Sequence, residues 1–187
     1  MTVTTLDPNS ALILIDLQKG IVALPVVHPV GPVLENARAL ADAFRRHHRP
    51  VILVNVAGAA PGRTEQTRST AAPPAGWTDL VAELNAQPGD HIVTKRTWGA
   101  FTGTDLADHL SRHNITQVVI AGIATSIGVE STARQAQERG LNVTLAIDAM
   151  TDLNADAHDN SIKRIFPRLG ETGSTAAITA LLDSPHR

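Results

Sequence analysis

Ala121-Gly-Ile-Ala-Thr-Ser-Ile-Gly128-Val-Glu-Ser-Thr-Ala133 reads as a buried strand that passes straight into a helix. The run at 117–123 is continuously apolar after its first residue, and helical periodicity takes over at 128–139. The small residues Gly122, Ala124 and Gly128 let other backbone come close, and a helix N-terminus presents N–H donors to an anion or a developing oxyanion. Working outward, further strand-length apolar runs occur at 11–16, 50–56, 90–94 and 142–147. Most are continuous rather than alternating, as expected of parallel strands covered on both faces. Helical patterns fall at 33–47, 79–85, 105–113 and 155–166, and weakly at 175–182. Gly140 and Asn114 serve as helix stops, and Thr104 and Asn154 as N-caps. Strands alternating with helices predict a single-domain, doubly wound α/β sheet of three layers over residues 1–187.

The composition narrows the function. A chain of 187 residues with 43% apolar side chains can bury roughly 70% of its unfolded surface. A net charge of −2 argues against a nucleic-acid or acidic-membrane surface, because phosphate neutralisation needs clustered Lys and Arg. Aromatics are 3% with no Tyr, which disfavours a base-stacking platform. Zero Cys excludes disulfides, thiolate metal sites and a thiol nucleophile. The opening Met1-Thr-Val-Thr-Thr-Leu-Asp7 lacks the basic-then-apolar pattern of a secretory signal, and no apolar run nears the ~20 residues of a membrane span. A cytoplasmic protein is expected.

In open α/β sheets, ligands collect beyond the carboxyl ends of the strands. Asp16 directly follows the apolar run Leu12–Ile15, where partial burial would raise its pKa; alternatively it caps a turn. Lys95 ends the third strand and opens Lys95-Arg-Thr-Trp98-Gly-Ala-Phe101; a solvated lysine is the competing reading. The segment at 57–76, rich in Gly, Pro, Ala and Thr, is the one long irregular stretch, as in an active-site cover. Trp77 beside that cover and Trp98 beside Lys95 could wall a small pocket or simply pack. Arg63 could clamp a substrate carboxylate or be a solvated loop charge.

The ordered set Asp16-Leu-Gln18, Lys95–Phe101, Ala121–Ala133, Gln135-Ala-Gln-Glu-Arg-Gly140 and Ile147-Asp-Ala-Met-Thr-Asp152 resembles the isochorismatase-like cysteine hydrolase family over nearly the whole chain. The resemblance implies that Asp16 and Lys95 are the paired catalytic residues and that the Ile123–Ala124 peptide is cis. It also implies that Gly128 stands where most members carry the catalytic cysteine, and that backbone N–H groups of Ala124 and Gly128 face the substrate. Gln18, Arg63, Trp77, Trp98, Thr125 and Ser126 are the expected substrate contacts. Members resembling true isochorismatases also carry glycine at that position and cleave a vinyl ether by protonation, which needs a carboxylic acid and water. The expectation is therefore a hydrolase of a small anionic substrate, with no cofactor, acting as a homo-oligomer, most simply a dimer. A water-dependent amidase or esterase with Asp16 as base, and a binding protein that has lost turnover, are the alternatives. The nicotinamidase-like metal set is missing: Val54-Asn-Val-Ala-Gly58 offers only Asn55, so no metal is expected.

Three other constellations compete. Ala124-Thr-Ser126-Ile-Gly128 resembles a nucleophile elbow, with Asp148 or Asp152 and His158 or His186 as partners. That reading leaves Asp16 and Lys95 unexplained. His109 and His113 have the i, i+4 spacing of a metal pair, but no carboxylate completes it. Asp152, Asp156 and Asp159 around His158 lack the Gly turn and terminal Glu of a cation loop.

Overall fold

A computed structural model describes residues 3–65 and 72–184. Six strands form one sheet: β1 (Ser10–Ile15), β2 (Val51–Val56), β3 (His91–Lys95), β4 (Gln117–Ile123), β5 (Asn142–Thr151) and β6 (Glu171–Gly173). Their order is β3-β2-β1-β4-β5-β6, and every pairing is parallel. The helices are α1 (Lys19–Val22), α2 (Val30–Arg46), α3 (Leu106–Arg112), α4 (Glu130–Glu138), α5 (Ala155–Asn160), α6 (Phe166–Leu169) and α7 (Thr175–Asp183).

The continuity of the apolar runs has a direct cause. Successive side chains of β1 point to opposite faces, and both faces are covered. Leu12 and Leu14 pack with Leu34, Leu40 and Phe44 of α2 and Ile178 of α7. Ala11, Ile13 and Ile15 pack on the other side with Leu106 of α3, Val129, Ala133 of α4 and Phe166 of α6. Asn154 caps α5 by accepting from the Ala157 N–H, at 2.9 Å.

Two helix expectations change. Residues 79–85 form no α-helix: Leu80 makes an antiparallel bridge to Gln18, the Val81 N–H donates to the Leu17 carbonyl, and only Ala82–Leu84 coil, as 3₁₀. Edge pairing with the chain after β1 outcompetes a short helix there. The helix at 155–166 is also interrupted, passing through a π turn at Ser161–Ile165 before α6. Pro167 has no N–H to return to the preceding turn, so a regular ladder cannot run through it. Two short elements, α1 and β6, are too brief for periodicity to reveal.

The sheet order reverses at β1, whose neighbours are β2 and β4. Connections leave β1 and β4 toward opposite faces, opening a crevice between their carboxyl ends. Gly122 makes that junction tight. Its φ of 123° and its place against the Ile15 backbone leave no room for a Cβ.

Candidate active site

Asp16 sits on the tip of β1 with φ 53°, in the left-handed region that Asp tolerates better than most side chains. This turns the chain sharply while its N–H stays bonded to the Val54 carbonyl at 2.9 Å. Lys95 ends β3, two strands away, and its long side chain crosses the tip of β2 to reach the carboxylate. Lys95 Nζ lies 2.7 Å from Asp16 Oδ2 and donates also to the Thr97 carbonyl at 3.2 Å. The pair is buried, with Lys95 2% and Asp16 5% exposed. Asp16 Oδ1 is buried and has no hydrogen-bond partner among the described residues. Burial lifts the Asp16 carboxyl from the ordinary value to about 6, outweighing the attraction of Lys95 and its hydrogen bond.

The third component is the turn after β4. The Ile123–Ala124 peptide is cis. Thr125–Val129 form a π turn that leads into α4, so the helical character begins three residues before the expected Gly128. A Cβ at Gly128 would stand 3.2 Å from Asp16 Oδ2 and 3.6 Å from Lys95 Nζ. Position 128 therefore adjoins both members of the pair. Thr132 Oγ1 donates to the Gly128 carbonyl at 2.7 Å and accepts from the Ala100 N–H at 3.1 Å. That bridge ties the start of α4 to the segment after Lys95.

Asp16, Lys95, Trp98, Ala124 and Gly128 line one cavity of about 190 Å³. The rest of its wall is mostly apolar, with Ile21, Leu24, Val56, Ile127 and Leu153 beside Thr97. The sequence reading missed Ile21, Leu24 and Leu153. The first two belong to or follow the four-residue α1, and Leu153 follows the quoted Asp152; a lone apolar residue beside a motif is a weak signal. Larger hollows of about 500 and 450 Å³ lie at the amino ends of the strands, around Asn142 and Val51. Charged groups there already have protein partners: Arg45 pairs with Asp90 at 2.7 Å, and Glu171 accepts from Thr4 at 2.6 Å.

Other expected contacts fall outside that lining. Gln18 is buried and spends its amide on backbone: Oε1 accepts from the Val56 N–H at 2.7 Å, and Nε2 donates to the Val56 and Trp77 carbonyls at 3.1 and 3.2 Å. It fastens the β2 tip to the chain after β1. Trp77 lies against Gly20 of α1, where any Cβ would run into the indole. Arg63 is exposed and does not border the cavity. Thr125 is buried behind the turn, and its Oγ1 donates to the Thr151 carbonyl at 3.1 Å. One hydroxyl has one proton, so the 2.8 Å contact with His158 Nδ1 must be donated by the imidazole. Ser126 is half-buried, and its N–H donates to Asp152 Oδ2 at 2.7 Å.

The competing constellations find other uses. Asp148 Oδ1 accepts from the Thr175 N–H and hydroxyl, at 2.7 and 2.9 Å. Asp152 organises its own loop through the Leu153 and Asn154 N–H groups, at 2.7 and 3.1 Å. His158 serves Thr125, and His186 lies outside the described residues. His109 stacks on His91 at 3.8 Å between centroids, and His113 Nδ1 donates to the His109 carbonyl at 2.8 Å. Burial, helped by the neighbouring histidines, pushes His109 down to about 4. Among the described residues no group of three His, Asp or Glu side chains is placed to hold a metal ion.

The isochorismatase domain family matches residues 10–177. The chain belongs to the isochorismatase family. An uncharacterised isochorismatase family protein of Bacillus subtilis, YwoC, is 43% identical over 174 residues, covering 89% of this chain and 90% of that one. A solved isochorismatase family structure from Burkholderia thailandensis superposes with a TM-score of 0.92 at 43% identity, over 96% of this chain and 98% of the other. Nicotinamidase 3 of Arabidopsis thaliana is 28% identical over 169 residues, 85% of this chain and 83% of that protein. This isochorismatase-family chain is a hydrolase homologue with the parallel α/β sheet of its relatives, and no helix among its described residues is long and apolar enough to cross a membrane.

Proposed function

We propose that the chain hydrolyses a small anionic organic molecule by acid-catalysed cleavage of a vinyl ether, with no enzyme nucleophile. The observation that carries the reading is the Asp16 carboxyl. Its Oδ1 has no hydrogen-bond partner among the described residues, its Oδ2 stands beside position 128 where there is no side chain, and burial brings its proton affinity near neutrality. Protonated Asp16 donates to the vinyl carbon, water adds to the resulting oxocarbenium ion, and the hemiketal collapses to a keto acid such as pyruvate and an alcohol. Lys95 holds the substrate carboxylate or the developing oxygen charge, and the N–H groups of Ala124 and Gly128 orient the substrate. Family membership and the Burkholderia homologue support a hydrolase on this scaffold.

A second reading uses the same carboxyl in its other state. Above pH 6 Asp16 is ionised and could act as a general base, directing water onto an amide or ester. The similarity to a nicotinamidase favours it. The pH profile separates the two. The kcat/KM for a monocarboxylate vinyl ether by the acid route should fall above about pH 6, whereas the kcat/KM for small amides by the base route should rise through it. Asp16→Asn should cost roughly 10²–10⁴-fold in kcat while ligand affinity persists. Full activity in that variant on every substrate screened would defeat both readings.

A further inference from the structure

The cavity at the carboxyl ends of β1, β3 and β4 is neutral as it stands but leaves a hydrogen-bonding deficit. Among its described lining residues only Asp16 and Lys95 are ionisable, and they neutralise each other at 2.7 Å. Val56 from β2, Ala124, Ile127 and Gly128 from the β4 turn and Ile21 from α1 add no titratable side chain. Arg96, the next basic residue along the chain, donates to the Ala57 carbonyl at 3.2 Å and does not border the cavity. Asp16 Oδ1 meanwhile accepts no hydrogen bond from the described residues.

An anionic ligand entering such a site would leave one uncompensated negative charge among apolar walls, which is costly. The cost disappears if a proton accompanies it. We propose that the pocket takes a small monocarboxylate, with an apolar body about the size of one ring, together with one proton: the ligand carboxylate takes over Lys95 and the proton goes to Asp16. The exchange balances. Asp16 carboxylate, Lys95 ammonium, ligand carboxylate and one solvent proton give a carboxylic acid, an ammonium and a bound carboxylate, with net charge zero before and after. The new Asp16 O–H then has an acceptor to meet. Volume sets the size: about 190 Å³ compares with the roughly 150 Å³ of an apolar cavity that takes benzene. The raised Asp16 pKa supports the exchange, because the carboxyl already accepts a proton near pH 6 without any ligand.

This rests on the proposed acid-catalysed function and explains how a carboxyl beside a lysine becomes a general acid: the substrate's own charge removes the lysine from it. The test uses benzoate and its neutral isostere benzamide. Calorimetry of the wild-type protein at pH 7.5, in two buffers of different ionisation enthalpy, should show close to one proton taken up per benzoate and none per benzamide. The benzoate Kd should weaken about tenfold per pH unit from 7 to 8.5 and level off below 6. Asp16→Asn should remove both the uptake and the slope, and Lys95→Met should weaken benzoate at least tenfold at every pH. A benzoate Kd flat from pH 6 to 8.5, uptake equal for the two probes, or no benzoate binding at millimolar concentration would overturn the proposal. The catalytic reading fails separately. Proton-linked benzoate binding with no turnover of any enol ether would remove the reaction and leave the pocket.

Discussion

Gly128 is where the Asp16–Lys95 pair and local packing meet in one missing side chain. An added Cβ would come 2.8 Å from Ile15 Cγ2, a branch fixed on a buried strand, as well as 3.6 Å from Lys95 Nζ. Gly128→Ala and Gly128→Cys should therefore both lose about 1–3 kcal/mol in denaturant unfolding, the ordinary penalty of overpacking. Between them only the cysteine tests the site: beside Lys95 and in the first turns of a helix, its thiol should alkylate faster at pH 7 than an exposed free cysteine. A thiol of ordinary reactivity would mean that the surroundings of position 128 have diverged from those of a nucleophile. Asp16 gives a second residue-scale expectation, through stability. Its folded pKa of about 6 exceeds its ordinary 3.8, so its contribution to folding is full below pH 4 and is lost as pH rises to 6. The stability of wild type minus that of Asp16→Asn should accordingly fall by roughly 2 kcal/mol between pH 4 and 7. An unchanging difference would show that the carboxyl is not desolvated as its burial implies.

At the scale of elements, the turn after β4 is held from behind by the end of β5. Thr125 Oγ1 bonds the Thr151 carbonyl and His158, Ser126 is pinned by Asp152, and His28 Nδ1 contacts Thr151 Oγ1 at 3.1 Å. Thr125→Val keeps the shape but strands a buried carbonyl and an imidazole N–H, so it should cost about 1–3 kcal/mol by urea unfolding, with Thr125→Ser recovering most of it. A neutral effect would mean that water replaces the hydroxyl. The histidine adds a pH signature. Burial and the neighbouring His28 lower the His158 pKa, so its stabilising contribution is complete above 6.5 and erodes as pH falls below that value. The stability gap between wild type and His158→Gln should narrow from pH 7 to 5. None of this network was legible beforehand, because hydroxyl-to-backbone bonds leave no periodicity. The strands did leave one: β4 matches its expected limits, β1 and β3 are shifted by one residue and β2 starts one later, since two-faced burial forces unbroken apolar runs; β5 runs four residues past its expected end, where Asp148 breaks the apolar run. Residues 79–85 misled because their helical spacing competes with backbone pairing to Leu17 and Gln18, a tertiary contact that no local pattern encodes.

For the whole molecule, three strand tips were enough to locate the cavity, since a parallel sheet collects its carboxyl ends on one side. The sequence could not say which polar side chains there would be consumed by backbone, as Gln18 and Thr125 are, because that depends on which carbonyls the fold leaves unpaired. The outer rim of the cavity carries a further expectation. Among the described residues the large exposed apolar side chains are Leu24, Val27, Ile92, Trp98 and Leu153. Leu24, Trp98 and Leu153 border the same cavity while 38%, 61% and 41% exposed, and the Val27 N–H donates to the Asp152 carbonyl next to Leu153. Single exposed apolar residues need no explanation, but several gathered at one mouth favour burial against another surface. A second copy of this chain is the simplest occupant, because a two-fold contact uses one patch twice. Sedimentation at micromolar concentration should show a homo-oligomer, most simply a dimer. Trp98→Glu combined with Leu153→Glu should shift it toward monomer by at least tenfold in dissociation constant, while the Asp16–Lys95 pair beneath is unchanged. A wild-type monomer would assign the apolar rim to substrate entry alone, and an oligomer indifferent to both substitutions would place the contact on another face.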